Sequence, residues 1–230
     1  MYPLIGILGG MGPEATLDLY RYITNLTAAS RDQDHFRVLV YSNPKIPDRT
    51  LAIADGGESP LNALLESARL LESAGVTIIA MPCNAAHYYL DQLRVAVDVP
   101  ILDMIAETSS ALRKRHPEVK IIGLLASDGT VHGKIYHQAL EARGIEILLP
   151  DKSEQAFIQS TIDEVKAGKH TEETRKKLLV IATRLVQSGA QAIILGCTEL
   201  PLVFDAGVFP YPCMNSTRIL AEAAIRFITQ

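Results

Sequence analysis

Short runs of apolar, often β-branched residues alternate along the chain with longer stretches whose apolar positions recur every three or four residues. The runs are almost continuously apolar, which is typical of parallel strands covered on both faces. The longer stretches have the period of amphipathic helices. Strands are predicted at 4–8, 38–41, 77–81, 121–125, 145–149 and 192–195, with a weaker one at 100–102, and one helix is marked by Leu61, Leu64, Leu65, Ala68 and Leu71.

This plan occurs twice. The apolar segment 5–8 is echoed by 122–125, and in each half a glycine precedes an apolar strand that ends in a cysteine. Cys83 follows its glycine by eight residues, and Cys197 follows its glycine by eight. Alternating strands and helices indicate an α/β fold, so the repeat predicts two pseudo-symmetric α/β lobes, each with a central, mainly parallel sheet flanked by helices. The predicted first lobe (1–102 plus 210–230) carries Cys83, and the predicted second lobe (103–209) carries Cys197.

Composition excludes several classes of protein. The 230 residues are 48% hydrophobic and 21% charged with a net charge of −4, which disfavours a disordered chain. Slight acidity without a run of basic residues argues against nucleic-acid binding. The apolar segments are too short for a signal peptide or a membrane span. Three widely spaced cysteines disfavour a disulfide scaffold or a zinc site, so we expect a cytoplasmic protein without a membrane partner.

Cys83 and Cys197 occupy equivalent strand ends, and open parallel sheets bind ligands beyond the carboxyl ends of their strands. If the two ends face each other, two thiols flank one small ligand. Such a pair suits inversion of a carbon stereocentre, because one thiol removes a proton while the other delivers one to the opposite face. An unperturbed thiol has a pKa of about 8.5, near enough to neutrality for both tasks. A single cysteine at a strand end is usually a small buried hydrophobe, which is the role expected of Cys213.

The residues beside the thiols are suited to anion binding and proton transfer. Backbone N–H groups after each cysteine, with the side chains of Asn84 and Thr198, would hold a carboxylate, while Glu199 and His87 would accept or orient protons. The glycine-rich segment 9–13 lacks the G-x-G-x-x-G spacing, and no ribose-binding acid follows the second strand, which disfavours a dinucleotide site. These glycines indicate a tight turn or close backbone approach to a small anion.

Five segments between residues 9 and 199 share a recognisable pattern: Gly9-Gly10-Met11-Gly12-Pro13, Pro44-Lys45-Ile46-Pro47-Asp48-Arg49-Thr50, Met81-Pro82-Cys83-Asn84, Val165-Lys166-Ala167-Gly168 and Gly196-Cys197-Thr198-Glu199. In these the sequence resembles the aspartate/glutamate racemase family, most closely its aspartate racemase branch. The resemblance implies an isomerase that acts on a small acidic amino acid and needs no pyridoxal phosphate or other cofactor and no metal. It also suggests a homodimer.

The resemblance assigns roles to particular residues. The thiols become the acid and base, supported by two carboxylates, and two cations bind the side-chain carboxylate of the substrate. The family commonly has Thr at the position of Ala85, so one side-chain hydrogen bond to the carboxylate is not expected here, and it often has Asp at the position of Asn215. The implied acid/base residues are Cys83, Cys197, Asp48 and Glu199, and the implied substrate ligands are Met11, Arg49, Asn84, Ala85, Ser127, Thr130, Lys166 and Thr198.

The predicted function is therefore cofactor-independent interconversion of L- and D-aspartate by two thiols at the interface between the lobes. Three alternatives remain at the level of sequence. The same chemistry would serve glutamate or both acids. Cys83 with His87 as its base would give a hydrolase or lyase. A two-lobed protein that binds acidic amino acids without reaction is the third.

Overall fold

The computed structural model describes residues 2–169, 171–204 and 206–230, which form two parallel sheets. The first sheet has the order β2-β1-β3 and the second the order β5-β4-β6-β7. This arrangement confirms the predicted fold class, two α/β lobes with helices flanking parallel sheets. The strands are β1 (Leu4–Gly9), β2 (Arg37–Ser42), β3 (Ile78–Ala80), β4 (Ile121–Ala126), β5 (Glu146–Leu148), β6 (Ala192–Gly196) and β7 (Cys213–Asn215).

Helices connect the strands, and several begin at side chains that accept hydrogen bonds from the first turn. The carboxylate of Asp103 accepts two backbone N–H groups, and Asp151 and Glu154 form a capping box. No helix among the described residues is long and apolar enough to cross a membrane. The helices are α1 (Pro13–Leu26), α2 (Arg49–Ala54), α3 (Leu61–Ser73), α4 (Leu90–Ala96), α5 (Met104–Arg115), α6 (Asp128–His132), α7 (His137–Glu141), α8 (Lys152–Lys166), α9 (Glu172–Gln187) and α10 (Ser216–Ile228), with short 3-10 helices at Asp32–Asp34, Ala85–Tyr89 and Leu200–Leu202.

The six main predicted strands are present, with ends shifted by at most one residue. The weaker prediction at 100–102 is a single bridge between Ile101 and Ile79. This bridge lies beside β3 as β7 lies beside β6, so the two sheets share one order. The sequence did not predict β7, because three residues are too few to show a period.

The structure differs from the predicted lobe boundary at β7. The prediction places residues 210–230 in the first lobe, but β7 pairs with β6 and so belongs to the second sheet. Helix α10, which follows β7, does pack in the first lobe, where Leu220 and Ala224 join Ile5 and Ile7 in one core. The remaining boundaries stay a prediction.

Helix α5 makes the opposite crossing. It follows the edge of the first sheet, yet its buried side chains Ile105 and Leu112 pack against Ile122 and Leu124 of the second sheet. The helix that follows each edge strand thus extends onto the other lobe, while Met104 of α5 and Ile219 of α10 stay in the core of the sheet that their helix follows. Helices α5 and α10 also contact each other. We refer to this arrangement as the helix exchange. It orients the carboxyl ends of the strands in both sheets toward the interface between the lobes.

We predict that Leu19→Ala lowers the free energy of unfolding by about 2–5 kcal/mol, because Leu19 is fully buried in the core that α1 shares with α10. Leu17 lies on the same helix and is 59% exposed, so Leu17→Ala should cost only about 0.5 kcal/mol. Urea unfolding of both variants measures the difference. Equal losses in the two variants would contradict this account of the core.

Candidate active site

A cavity between the lobes brings together the twelve residues to which the resemblance assigns roles. It contains about 310 Å³ of empty space, including its opening to solvent. Loops that follow the carboxyl ends of strands in both sheets line it, as expected for parallel sheets. The lining residues are Met11, Asp48, Arg49, Thr50, Cys83, Asn84, Ala85, Ser127, Thr130, Lys166, Cys197, Thr198 and Glu199.

Thr50 is the lining residue that sequence reasoning missed, although it lies beside Arg49 in a segment that carried the resemblance. It belongs to α2, which packs directly on α6 of the other lobe. A Cβ atom on Gly129 of α6 would lie 2.7 Å from the Cα atom of Thr50. Glycine at 129 therefore allows the two helices to touch across the cavity.

Cys197 follows β6 and is almost completely buried. Its Sγ donates a hydrogen bond of 3.0 Å to Oε2 of Glu199. Burial, and then the negative charge of Glu199, raise the pKa of Cys197 well above its ordinary value, while the positive charge of Lys166 acts in the opposite direction. Cys197 is therefore a protonated thiol at neutral pH.

Glu199 is a buried carboxylate that accepts hydrogen bonds from both lobes. Besides the Cys197 thiol, the hydroxyl of Thr198 donates to Oε2 at 3.3 Å. The backbone N–H of Gly12, from the loop after β1, donates to Oε1 at 3.2 Å. The structure thus brings together Glu199 and Cys197, and it ties the glycine-rich loop to the same acid.

Asp48 has different contacts from those its predicted role requires. Its Oδ1 accepts the backbone N–H of Leu51 at 3.0 Å as the N-cap of α2, and its Oδ2 lies 3.8 Å from Nζ of Lys166. Burial alone would raise the pKa of Asp48, but the Leu51 N–H, Lys166 and Arg49 outweigh it and lower the pKa. Within residues 2–169, 171–204 and 206–230, no hydrogen bond joins Asp48 to either thiol.

The two cations predicted to bind the substrate differ in whether carboxylates of the protein already lie close to them. Lys166, at the end of α8, lies 3.5 Å from Asp163 and 3.8 Å from Asp48. Burial alone would lower the pKa of Lys166, but surrounding acidic groups, including Cys197 and Glu199, raise it overall. Lys166 is thus a charged residue shared between carboxylates.

Arg49 is 9% exposed and has no carboxylate partner among the described residues. Its Nη1 donates to the carbonyl oxygens of Ile46 and Pro47 at 3.2 and 3.0 Å. Its Nε is buried without a hydrogen-bond acceptor in the described part of the chain. An unpaired donor on a buried cation costs about 1–3 kcal/mol or more, so this side chain is suited to binding an anion.

His87 is fully engaged with the backbone. Its Nε2 accepts the N–H of Met104 at 3.0 Å, so the ring proton lies on Nδ1, which donates to the carbonyl oxygen of Cys83 at 2.8 Å. Burial lowers the pKa of His87 and keeps the ring neutral. Because both nitrogens bind backbone groups and His87 does not line the cavity, this geometry disfavours His87 as a base for the Cys83 thiol.

Two residues of the glycine-rich segment lie directly against neighbouring protein segments. Gly10 has a φ of +95°, and a Cβ atom there would lie 2.3 Å from the carbonyl carbon of Asn43. A Cβ atom on Gly9 would lie equally close to Thr16. These contacts account for glycine at both positions as parts of a tight turn, one of the two interpretations of the segment, and close approach to an anion stays a prediction. They pack the turn against neighbouring segments.

The two departures from the family pattern lie in different places. Ala85 lines the cavity and offers no side-chain hydrogen bond there. Asn215 lies outside it, where its Oδ1 caps α10 and its Nδ2 donates to the hydroxyl of Tyr22 at 3.1 Å. Aspartate would also cap the helix but would not donate to Tyr22 when ionised.

Comparisons with known proteins agree with this geometry. The model of the Asp/Glu/Hydantoin racemase family matches residues 8–224. A broad specificity amino-acid racemase of Bacillus subtilis is 32% identical over 228 residues, 96% of each chain. The structure of the Picrophilus torridus aspartate racemase has a TM-score of 0.89 at 33% identity and covers 99% of this chain and 94% of that one. A glutamate racemase of Francisella tularensis, solved with D-glutamate, shares the fold at 15% identity, with a TM-score of 0.71 and 99% and 81% coverage.

We predict that Glu199→Gln lowers the pKa of Cys197, because it removes the negative charge beside the thiol. The pKa should stay above its ordinary value, since burial is the larger cause and persists. Thiolate ultraviolet absorbance against pH measures this in a background of Cys83→Ser and Cys213→Ser. Glu164→Gln, an exposed position on α8, serves as the matched control. An unchanged midpoint in Glu199→Gln would show that the carboxylate does not act on the thiol.

Proposed function

Since this chain belongs to the Asp/Glu/Hydantoin racemase family, we propose that it interconverts L- and D-aspartate with its own side chains. That it is an amino-acid racemase follows from the family and from relatives that cover nearly the whole chain. The proposal adds the substrate and the two-thiol mechanism. Its main support is the buried guanidinium of Arg49, whose Nε has no acceptor among the described residues, in the cavity that both thiols line.

In the proposed reaction, Cys83 as thiolate takes the α-proton, so that the C–H bond breaks and its electron pair stays on the α-carbon. Cys197, kept protonated by burial and Glu199, delivers its proton to the opposite face. The reverse reaction exchanges these roles. Each turnover thus moves one proton onto a sulfur and one proton off the other, with no net oxidation.

The carbanion is the difficult intermediate, because the proposal uses no cofactor to delocalise it. Hydrogen bonds to the α-carboxylate from Asn84, Thr198 and nearby backbone N–H groups would stabilise the growing negative charge. Asn84 and Thr198 are both at least 98% buried, so few water molecules compete with them. Burial strengthens each of these contacts.

Charge favours an acidic substrate. Lys166 is already shared between Asp48 and Asp163, whereas Arg49 has no carboxylate partner among the described residues. A side-chain carboxylate would satisfy Arg49, and a neutral amino acid would leave that buried cation unpaired at a cost in binding. Glutamate carries the same charge on one more methylene, so it is the nearest competing substrate.

We predict that the metal-free protein, incubated with L-aspartate in D2O without pyridoxal phosphate, forms D-aspartate that carries deuterium at the α-carbon. Cys83→Ser and Cys197→Ser should each lose at least about 100-fold in rate, because serine is a far weaker acid and base at neutral pH. Cys213→Ser, which alters the cysteine outside the cavity, should keep full activity. Chiral chromatography and proton NMR follow both products. No exchange with aspartate or glutamate would refute the proposal.

We predict that Arg49→Lys lowers kcat/KM for aspartate by about 10- to 100-fold, because an ammonium cannot reproduce the bidentate contact of a guanidinium with a carboxylate. Turnover of alanine, which has no second carboxylate, should fall much less. Arg69→Lys, an exposed change on α3, is the control. Equal losses for aspartate and alanine would mean that Arg49 does not bind the side chain of the substrate.

A further inference from the structure

Tyr136 is a fully buried residue outside the cavity lining, and it contacts the neighbours of both thiols. It lies just before α7 in the second lobe. A Cβ atom on Gly196 would lie 3.3 Å from Cε2 of the ring, so the ring packs directly on the backbone of Gly196. Gly196 is the residue that precedes Cys197.

The hydroxyl of Tyr136 reaches the other lobe. It donates a hydrogen bond of 2.7 Å to Oδ1 of Asn84, the residue that follows Cys83. Burial raises the pKa of Tyr136, so the hydroxyl keeps its proton and remains a donor. One side chain therefore contacts the strand end of Cys197 through its ring and that of Cys83 through its hydroxyl.

A second contact fixes which way the Asn84 amide faces. The hydroxyl of Ser216 donates to the carbonyl oxygen of Leu195 at 2.9 Å, so its oxygen accepts Nδ2 of Asn84 at 3.2 Å. Oδ1 accepts from Tyr136 and Nδ2 donates to Ser216. In the opposite orientation Ser216 would have to give up its bond to Leu195 in order to donate to Oδ1, so Ser216 determines which way the amide faces. One hydrogen on Nδ2 remains, and Asn84 lines the cavity.

We propose that Tyr136 is a positioning residue for the racemase reaction: with Ser216 it holds the Asn84 amide so that its remaining N–H points to the α-carboxylate of the substrate. This inference rests on the proposed function for its role in turnover. The hydrogen-bond network itself is independent of any substrate.

Tyr136→Phe removes the hydroxyl and leaves the ring on Gly196. Because Asn84 acts on charge that develops during the reaction, kcat should fall by roughly 10- to 100-fold with little change in KM. This fall in kcat is smaller than that expected from removing a donor altogether, because the Asn84 amide is still present. Tyr22→Phe is a matched control, since it also loses a hydrogen bond to an asparagine, Asn215, away from the cavity. It should leave kcat unchanged. A rise in KM with kcat unchanged, or an equal loss of kcat in Tyr136→Phe and Tyr22→Phe, would overturn the positioning role.

A double-mutant cycle tests whether Tyr136 acts through Asn84. If it does, Tyr136→Phe lowers kcat in the wild-type background but not further in an Asn84→Ala background. An undiminished loss in that background would overturn the proposal. Should Tyr136→Phe fail to fold, Ser216→Ala takes its place in the cycle, because it removes the other contact that orients the amide.

A measurement without substrate separates this inference from the proposed function. The side-chain amide resonances of Asn84, assigned by their loss in Asn84→Asp, should shift and exchange faster with solvent in Tyr136→Phe but not in Tyr22→Phe. Unchanged resonances would overturn the positioning role even if the protein racemises aspartate. A wild-type protein that is inactive on every acidic amino acid would refute the proposed function, and the amide resonances would still decide whether Tyr136 holds Asn84.

Discussion

A carboxylate buried between two lobes requires hydrogen-bond donors from both of them, and the site depends on this constraint at Glu199. Gly12 supplies a backbone N–H from the first lobe, and Cys197 and Thr198 supply donors from the second. Separation of the lobes would leave the acid without the Gly12 donor. The same contacts that satisfy Glu199 therefore hold the glycine-rich loop of one lobe and the Cys197 thiol of the other against one acid.

The resulting site is chemically asymmetric although the fold is pseudo-symmetric. Cys197 has a carboxylate acceptor at 3.0 Å, whereas Cys83 is followed by an asparagine held by Tyr136 and Ser216. On the cationic side, Lys166 is shared between acids and Arg49 is not. Two equivalent strand ends thus have different hydrogen-bond partners. We infer that this difference suits a reaction in which one face of the substrate loses a proton and the opposite face gains one.

The sequence predicts the parts of this molecule that are encoded locally. Buried parallel strands such as β1, β4 and β6 are visible as continuous apolar runs, and the family pattern locates the cavity lining, including Asn84 and Lys166. Interactions determined by tertiary geometry were not predictable. Nothing in the pattern of α5 or α10 specifies the sheet on which each packs, β7 is too short to have a period, and Asp48 caps a helix where the pattern suggested support for a thiol.

The helix exchange also constrains how the chain reaches its native state. On the ribosome, β1 to β3 emerge early, but the core around Ile5 and Ile7 is closed by Leu220 and Ala224 of α10, which are synthesised after the whole second lobe. The first lobe exposes this apolar surface until contacts form between residues that are more than two hundred positions apart in sequence. The core of the first lobe is therefore completed only after the second lobe has been synthesised.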